Sequence, residues 1–223
     1  MINSNLEDTT IVVSSNCIRD KIEYCKNQFG KTPKQCTKPG MDIVMIGSIG
    51  VKATLDLAKK YENVLRDKFA ASFVDGVFEL EKVLNADRYV TVVKEYLTAK
   101  GSLAQDNISI IYEIGSEGTF GGLYQMAKFI DRGISIEIPS IPVWQEVIEV
   151  AEVFDVNPYL ADGTGAIIIM CNSGADMVEY LTDEGIYASV IGHVTDDNDK
   201  IAKNGDEIRY LEPTRVEELE NLL

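Results

Sequence analysis

Histidine, tryptophan and closely spaced cysteines are scarce in this chain of 223 residues, which has one histidine, one tryptophan and four cysteines. Cys17, Cys25, Cys36 and Cys171 stand far apart, and no pair has the Cys-x-x-Cys spacing of a zinc knuckle or redox motif. We therefore expect free thiols. A metal site on the first three cysteines is the alternative. It lacks a fourth ligand because His193 lies far along the chain.

Basic residues are also in short supply. The chain has 21 Lys and Arg against 36 Asp and Glu, a net charge of -15 and a pI near 4.5. Such a chain repels nucleic acid backbones and anionic membrane surfaces. No apolar run reaches the roughly 18 residues of a membrane span, and the first ten residues do not resemble a signal peptide. We expect a soluble, cytoplasmic protein that binds neither nucleic acid nor membranes.

The first forty residues differ from the rest. Thr10 to Val13 is a short apolar strand, and Ile18 to Phe29 has helical spacing. Residues 30–40 contain two prolines and three lysines, which indicates a linker or basic loop. We divide the chain into a leading strand-helix segment with its linker, a main domain and a short terminal helix that Pro213 opens, with bounds 1–37, 38–215 and 216–223.

After residue 40, apolar runs bounded by glycine alternate with amphipathic segments. The predicted strands are 42–46, 108–114, 134–138, 166–170 and 188–194, followed by a hairpin of 200–202 with 207–211. The predicted helices are 51–61, 62–69, one or two within 79–100, 123–131, 143–154 and 175–184. This order predicts an α+β fold, a mixed β-sheet covered by helices.

The most informative segment is the glycine-rich stretch Gly115 to Gly122, between a predicted strand and the helix that we expect to start at Leu123. Free N–H groups at such a helix start can hold a phosphate or a carboxylate. The stretch is neither a Walker A loop nor Gly-x-Gly-x-x-Gly. The alternative is that its glycines only allow tight strand-to-helix packing.

A second glycine turn, Asp162-Gly163-Thr164-Gly165, comes just before the most apolar predicted strand. An anion or a sugar can rest on such a turn. A plain turn in which Asp162 accepts local N–H groups explains the same residues.

Three other features have a structural explanation beside a functional one. His193 is a candidate general base, but no triad motif surrounds it, which favours a structural histidine. Asp196 to Asp199 resembles the start of a calcium loop without the glycine and glutamate that complete it, which favours a solvated turn. Trp144, Ile148 and their helical neighbours Val147 and Ala151 are expected in the core.

Several strings together resemble the C-terminal domain of aminoimidazole ribonucleotide (AIR) synthase-related proteins, in particular the hydrogenase expression/formation proteins of the E type. The matching strings are Lys38-Pro39-Gly40-Met41-Asp42-Ile43-Val44-Met45, residues 138–147, residues 154–159, Ser189-Val190-Ile191-Gly192-His193-Val194-Thr195 and residues 204–213. The resemblance covers roughly residues 38 to 215 and implies the AIR synthase C-terminal-domain fold.

The resemblance also implies a missing part. In the family, ATP lies on an N-terminal domain that also forms the dimer, and the C-terminal domain covers the cleft. Residues 1–37 take the place of that domain and lack its acidic, metal-binding motifs. We therefore expect no cofactor on this chain alone, and ATP with Mg²⁺ only if a partner supplies the nucleotide domain.

Two departures from the family limit what the resemblance implies. Relatives have His-Asp-Val-Thr-x-Gly-Gly where this chain has Tyr112-Glu113-Ile114-Gly115-Ser116-Glu117-Gly118. The hydrogenase-maturation members end in a cysteine that carries a carbamoyl group, whereas this chain ends in Leu223. That chemistry therefore does not carry over, and we assign no catalytic residue and no metal ligand.

The resemblance places both glycine segments on one cleft and predicts a ligand site there. Tyr112 and Glu113 would supply a hydroxyl and a carboxylate, and N–H groups near Gly121 would favour an anion. We expect Gly118→Val or Gly163→Val to abolish binding with the fold retained. The candidate residues are Tyr112, Glu113, Gly115, Ser116, Gly118, Gly121, Gly122, Asp162, Gly163, Thr164 and Gly165.

Three functional hypotheses remain open. The first is a stand-alone, catalytically degenerate domain that binds a small anionic ligand or a protein partner. The second is half of a split ATP-dependent enzyme whose nucleotide-binding domain is a partner protein. The third is a fragment of a longer protein, which Met1 argues against. A homodimer is also open, and it would use a surface such as the strand Thr10 to Val13.

Overall fold

The computed structural model describes residues 10–99 and 109–213. Eight strands form one mixed sheet in the order β1-β3-β5-β2-β6-β4-β7-β8. Their bounds are β1 Thr10–Val13, β2 Asp42–Ile46, β3 Ser109–Glu113, β4 Gly133–Glu137, β5 Ile167–Cys171, β6 Ala188–Thr195, β7 Lys200–Asn204 and β8 Glu207–Tyr210. The α+β fold with a mixed sheet that the sequence predicts is confirmed.

Helices cover both faces of the sheet. Their bounds are α1 Ile18–Phe29, α2 Pro33–Cys36, α3 Val51–Lys60, α4 Glu62–Lys68, α5 Ala71–Glu79, α6 Ala86–Ala99, α7 Gly118–Ile130, α8 Gln145–Phe154 and α9 Gly174–Asp183. Side chains of α1, α2 and α7 join the core on one face, and those of α6 and α9 join it on the other. Buried residues of α3, α4, α5 and α8 form two smaller clusters.

The central strands show why the fold takes this form. In β2, Ile43 and Met45 face the α7 side, whereas Val44 and Ile46 face the α6 side. All four side chains are completely buried. A strand that is apolar on both faces needs helices on both sides. The apolar runs read from the sequence at β2 and β5 therefore specify the layered arrangement.

The leading segment is part of this sheet. Strand β1 pairs in parallel with β3 and buries Ile11 and Val13 in the same core as α7. The linker expected over residues 30–40 is wrong in part, because residues 33–36 form α2, and Cys36 is buried. Thr32 starts this helix, and its N–H donates to Gln35 Oε1 across 2.8 Å. The domain boundary near residue 38 stays a prediction.

Three other helix assignments differ from the sequence analysis. Helix α7 begins at Gly118, five residues before the expected start, and α8 begins at Gln145 instead of Val143. Helix α5 was not predicted, because Gly76 and Phe78 lower helix propensity there and burial of Val74 and Val77 compensates. The terminal helix predicted after Pro213 lies outside the described residues. No helix within residues 10–99 and 109–213 has the length and apolar character needed to cross a membrane.

Four loops meet at one end of the central strands, and we call this end of the sheet the loop edge. The last residue of β2, Ile46, lies opposite the first residues of β5 and β6. The last residue of β3, Glu113, lies opposite Ile167 of β5. The loops that follow β2 and β3 and those that precede β5 and β6 are therefore neighbours.

Candidate functional site

The first candidate segment forms a tight turn between β3 and α7. The Tyr112 hydroxyl donates to Glu117 Oε1 across 2.9 Å, and the Gly115 N–H donates to the same oxygen across 3.3 Å. Tyr112 is completely buried. Burial, followed by the nearby negative charge of Glu117, raises the pKa of the Tyr112 phenol. The phenol therefore stays protonated and acts as a donor to the carboxylate.

The two glycine segments lie against each other, as the resemblance predicts. The carbonyl oxygen of Gly115 accepts the N–H of Gly118 across 3.2 Å and the N–H of Gly163 across 3.1 Å. One backbone oxygen thus joins the start of α7 to the loop before β5. This contact makes residues 113–122 and 162–165 a single surface at the loop edge.

Asp162 is occupied by its own turn. The backbone N–H and the hydroxyl of Thr164 both donate to Asp162 Oδ1, across 2.9 and 2.6 Å. These are the local bonds of the plain-turn interpretation. Thr164 is exposed, so its side chain is the accessible part of this loop.

The glycines at the centre of the site have packing roles. Gly118 has φ 71°, and a Cβ there would lie 2.6 Å from the Leu160 carbonyl oxygen. A Cβ on Gly163 would lie 2.5 Å from Ile114 Cγ2. The expectation that valine at either position leaves the fold intact is therefore wrong, because each substitution forces the backbone or the core apart.

Helix α7 includes the last two glycines of the first segment. Gly121 and Gly122 are buried within its first turns, so they are not the helix start that the sequence analysis placed near Gly121. Ser116 is exposed in the turn, and Glu113 is half-buried at the end of β3. Gly165 has φ 99° and packs its backbone against Leu84.

Thr119 is a further candidate residue, which the sequence analysis did not include. It is completely buried in the first turn of α7, and its hydroxyl has no hydrogen-bond partner among the described residues. It faces the second loop, because a Cβ on Gly163 would lie 3.7 Å from Thr119 Oγ1. Buried hydroxyls are nearly always bonded, so this one marks a place for a further polar atom.

A signal for Thr119 and Glu117 is present in the sequence. Shifted by four residues, the family string His-Asp-Val-Thr-x-Gly-Gly matches Ser116-Glu117-Gly118-Thr119-Phe120-Gly121-Gly122. This register keeps the acid, the threonine and both glycines, whereas the match to Tyr112–Gly118 keeps only the acid and one glycine. It also assigns the acid to Glu117, the carboxylate that the turn binds.

Other candidates lie away from this surface. His193 is exposed and pairs in register with Asp42 at the start of β2, which is the opposite end from the loop edge. Asp197 accepts the Thr195 hydroxyl and the Asp199 N–H, as in a solvated turn. Trp144 and Ile148 are exposed, so the core position expected for them is wrong, although Val147 and Ala151 are buried.

The cysteines form no disulfide in the structure. Burial raises the pKa of the Cys25 thiol to about 11 and that of Cys171 to about 12. Thiols of such high pKa are poor nucleophiles at neutral pH. Within residues 10–99 and 109–213, no three His, Cys, Asp or Glu side chains come together in a way that could hold a metal ion.

No protein-family model and no curated protein matches the sequence. Solved structures do match. E. coli HypE, a hydrogenase maturation protein, has a TM-score of 0.60 and 15% identity over 85% of this chain and 55% of that chain. The fold is HypE-like. A second HypE structure gives a TM-score of 0.60 and 16% identity over 85% of this chain and 58% of that one.

HypE in its complex with HypF gives a TM-score of 0.55 and 16% identity, over 81% of this chain and 55% of that chain. At these identities the likeness shows the fold alone. The chain spans slightly more than half the length of the HypE chains that it matches. The α+β architecture is thus similar to that of the HypE structures.

Proposed function

We propose that this chain is a small-ligand-binding domain, equivalent to the C-terminal domain of HypE-like proteins, that binds an anionic ligand at the glycine turn. One observation carries the proposal. The Tyr112 hydroxyl and the Gly115 N–H hold a carboxylate, that of Glu117. The turn therefore already binds a carboxylate, and an external carboxylate or phosphate would compete for the same donors.

Thr119 supports this location. Leaving a buried hydroxyl without a partner costs about 1–3 kcal/mol, so a polar atom that reaches it is stabilised there. The Thr119 hydroxyl faces the loop that contains Gly163. A ligand that displaces the Glu117 carboxylate and lifts this loop would gain three hydrogen bonds, to Tyr112, Gly115 and Thr119.

Charge sets the expected strength of binding. The net charge of -15 is screened beyond about 8 Å at about 0.15 M salt, so nearby groups decide the affinity. Glu113 at the end of β3 and Glu117 in the turn both oppose a second anion at short range. Binding to the unmodified chain is therefore weak, and removal of the Glu117 carboxylate strengthens it.

The domain does not hydrolyse ATP by itself in this proposal. Phosphoryl transfer needs positioned metal ions and basic groups around the phosphates. The surface built from residues 113–122 and 162–165 contains no lysine, arginine or histidine. ATP and Mg²⁺ would enter only with a partner chain.

The alternative is the C-terminal half of a split ATP-dependent enzyme. The coverage favours it, since this chain corresponds to 55% of the E. coli HypE chain. In that case a second polypeptide carries the nucleotide-binding domain and covers the loop edge. Co-purification with a protein that has acidic, metal-binding motifs, together with ATP hydrolysis by the pair only, would favour this alternative.

A thermal-shift series tests the primary proposal. Inorganic phosphate, pyrophosphate and acetate are added to the unmodified chain, to Glu117→Ala and to Glu179→Ala. Glu179 is an exposed glutamate on α9, so its loss changes the net charge by the same amount. We expect a larger anion-induced rise in Tm for Glu117→Ala alone, since a ligand that binds the native state stabilises it. Equal shifts in both variants would contradict the proposal.

A further inference from the structure

A second cleft lies at the loop edge and takes no part in the site described above. Its volume is about 190 Å³. The lining includes Gly47 after β2, Arg88 and Tyr89 of α6, Trp144 before α8, and Gly185 and Tyr187 before β6. A cleft of this size accommodates one ring system instead of an extended ligand.

Two exposed aromatic side chains form one wall of the cleft. Trp144 is 37% exposed and Tyr187 is 53% exposed. Their ring centroids are 5.6 Å apart, and the ring planes are inclined at 48°. Large aromatic rings that remain partly open to solvent, side by side in a cleft, offer faces on which a planar ligand ring can stack.

Hydrogen bonds hold the main chain of both aromatic residues in place. The Trp144 N–H donates to the buried Ser48 hydroxyl across 3.2 Å, and the Gly47 N–H donates to the Tyr187 carbonyl across 2.9 Å. Both bonds reach into the loop after β2. The aromatic wall is thus anchored to a central strand, which reduces the entropy lost when a ligand binds.

The cleft also contains a cation without a carboxylate partner. The Arg88 guanidinium donates to the Glu184 carbonyl oxygen across 3.2 Å, and no carboxylate in residues 10–99 or 109–213 forms an ion pair with it. Lys82, the other basic residue of the lining, is paired with Glu79. The chain has a net charge of -15, so an exposed guanidinium without such a partner is unusual on its surface. It can bind one anionic group of a ligand.

We infer that this cleft binds a small molecule with a planar ring and a single anionic group, the chemistry of a nucleoside monophosphate. The ring packs against the wall formed by Trp144 and Tyr187 and stacks on one of these two rings, and the guanidinium of Arg88 donates paired N–H groups to the anion. One unpaired guanidinium matches one phosphate. The lining has no second unpaired cation for additional phosphates, because Lys82 is paired with Glu79. A triphosphate should therefore bind no more tightly than a monophosphate.

Trp144 makes the inference directly measurable, because it is the only tryptophan in the chain. The full chain is titrated with AMP, with adenosine, which has the ring alone, and with ribose 5-phosphate, which has the anion alone. We expect AMP to quench the tryptophan fluorescence saturably, with a Kd at least about tenfold below that of adenosine. Ribose 5-phosphate should leave the fluorescence unchanged.

Substitutions separate the two parts of the interaction. Arg88→Gln should raise the Kd for AMP about tenfold and leave that for adenosine unchanged, because it removes the anion's partner. Tyr187→Leu should weaken both ligands. Arg19→Gln, which removes an exposed arginine of α1, is the matched control and should behave as the unmodified chain does. Circular dichroism confirms that each variant is folded.

The inference is overturned if AMP fails to quench Trp144 saturably, if adenosine binds as tightly as AMP, or if Arg88→Gln leaves the Kd for AMP unchanged. Its outcome is independent of the proposed anion site. Glu117→Ala tests the glycine turn through the anion-induced shift in Tm, and it should not alter the quenching of Trp144 by AMP.

Discussion

The N–H of Gly163 donates a hydrogen bond of 3.1 Å to the carbonyl oxygen of Gly115. This bond joins two segments that are 48 residues apart in the sequence and that the sequence analysis could place together only through a family resemblance. It also gives Gly163 a packing role that does not depend on any ligand. Substitutions in this site must therefore distinguish loss of fold from loss of binding.

Gly163→Ala should lower the free energy of unfolding by about 1–3 kcal/mol, because its Cβ would lie 2.5 Å from Ile114 Cγ2. Gly76→Ala is the matched control. Gly76 lies within α5, and a Cβ there meets Glu146 Oε1 at an ordinary 3.8 Å, so alanine should stabilise by about 0.5–1 kcal/mol. Urea unfolding measures both. A Gly163→Ala chain as stable as the unmodified one would contradict the packing role.

Alkaline pH should destabilise the fold. The pKa of Cys25 is raised to about 11 and that of Cys171 to about 12, from an ordinary value of 9.0. A raised pKa means that the folded thiol keeps its proton while the unfolded thiol ionises. The stability is therefore complete below pH 9 and falls between pH 9 and the folded values, by at most about 1.4 kcal/mol per pH unit for each thiol.

Urea midpoints between pH 7 and pH 10.5 measure this loss. Cys25→Ala should flatten the pH dependence, whereas Cys17→Ala, which removes a partly exposed thiol, serves as the control. If Cys25→Ala and the unmodified chain lose stability in parallel above pH 9, the buried thiol is not responsible.

Any homodimer should form through the outer edge of β1, since β1 is an end strand of the sheet among residues 10–99 and 109–213. Val12→Lys places a charge on this strand, at a half-buried position beside the core on the α6 side, while Ile11 and Val13 keep their core positions, so circular dichroism must first show that the variant is folded. We expect light scattering to show a monomer for this variant where the unmodified chain is a dimer. A dimer that survives the substitution would point to the opposite edge strand, β8, where Ile208 and Tyr210 are exposed.

Magnesium-ATP should neither bind tightly to this chain nor be hydrolysed by it. The leading residues contain no acidic metal-binding motif, and the cleft near Arg88 offers only one unpaired guanidinium. Calorimetry should therefore show no micromolar binding. A micromolar Kd for magnesium-ATP, or steady release of phosphate from it, would contradict this prediction.

The sheet was predictable because its signals are local. The runs at Asp42–Ile46 and Ile167–Cys171 are apolar on both faces, which specifies buried strands in any context. The start of α7 was not predictable in this way. Gly118, Gly121 and Gly122 have low helix propensity, and the helix forms there because the first turn packs against Leu160 and Tyr112.

The position of the candidate site was predicted from the sequence, but the groups that form its hydrogen bonds were not. The glycines identified the turn, but the carboxylate that it binds and the buried Thr119 hydroxyl depend on which residues fold back onto it. Trp144 shows the opposite error. Its helical spacing with Val147 predicted burial, yet it precedes the first turn of α8 and lies open beside Tyr187.

The central claim is that Glu117 occupies an anion site, and a calorimetric titration with pyrophosphate tests it most directly. Glu117→Ala should bind pyrophosphate about ten- to a hundredfold more tightly than the unmodified chain, because Tyr112 and Gly115 lose their competing carboxylate. Glu117→Ala with Tyr112→Phe should lose most of that gain. Equal affinities in the unmodified chain and Glu117→Ala, or a gain that survives Tyr112→Phe unchanged, would contradict the account.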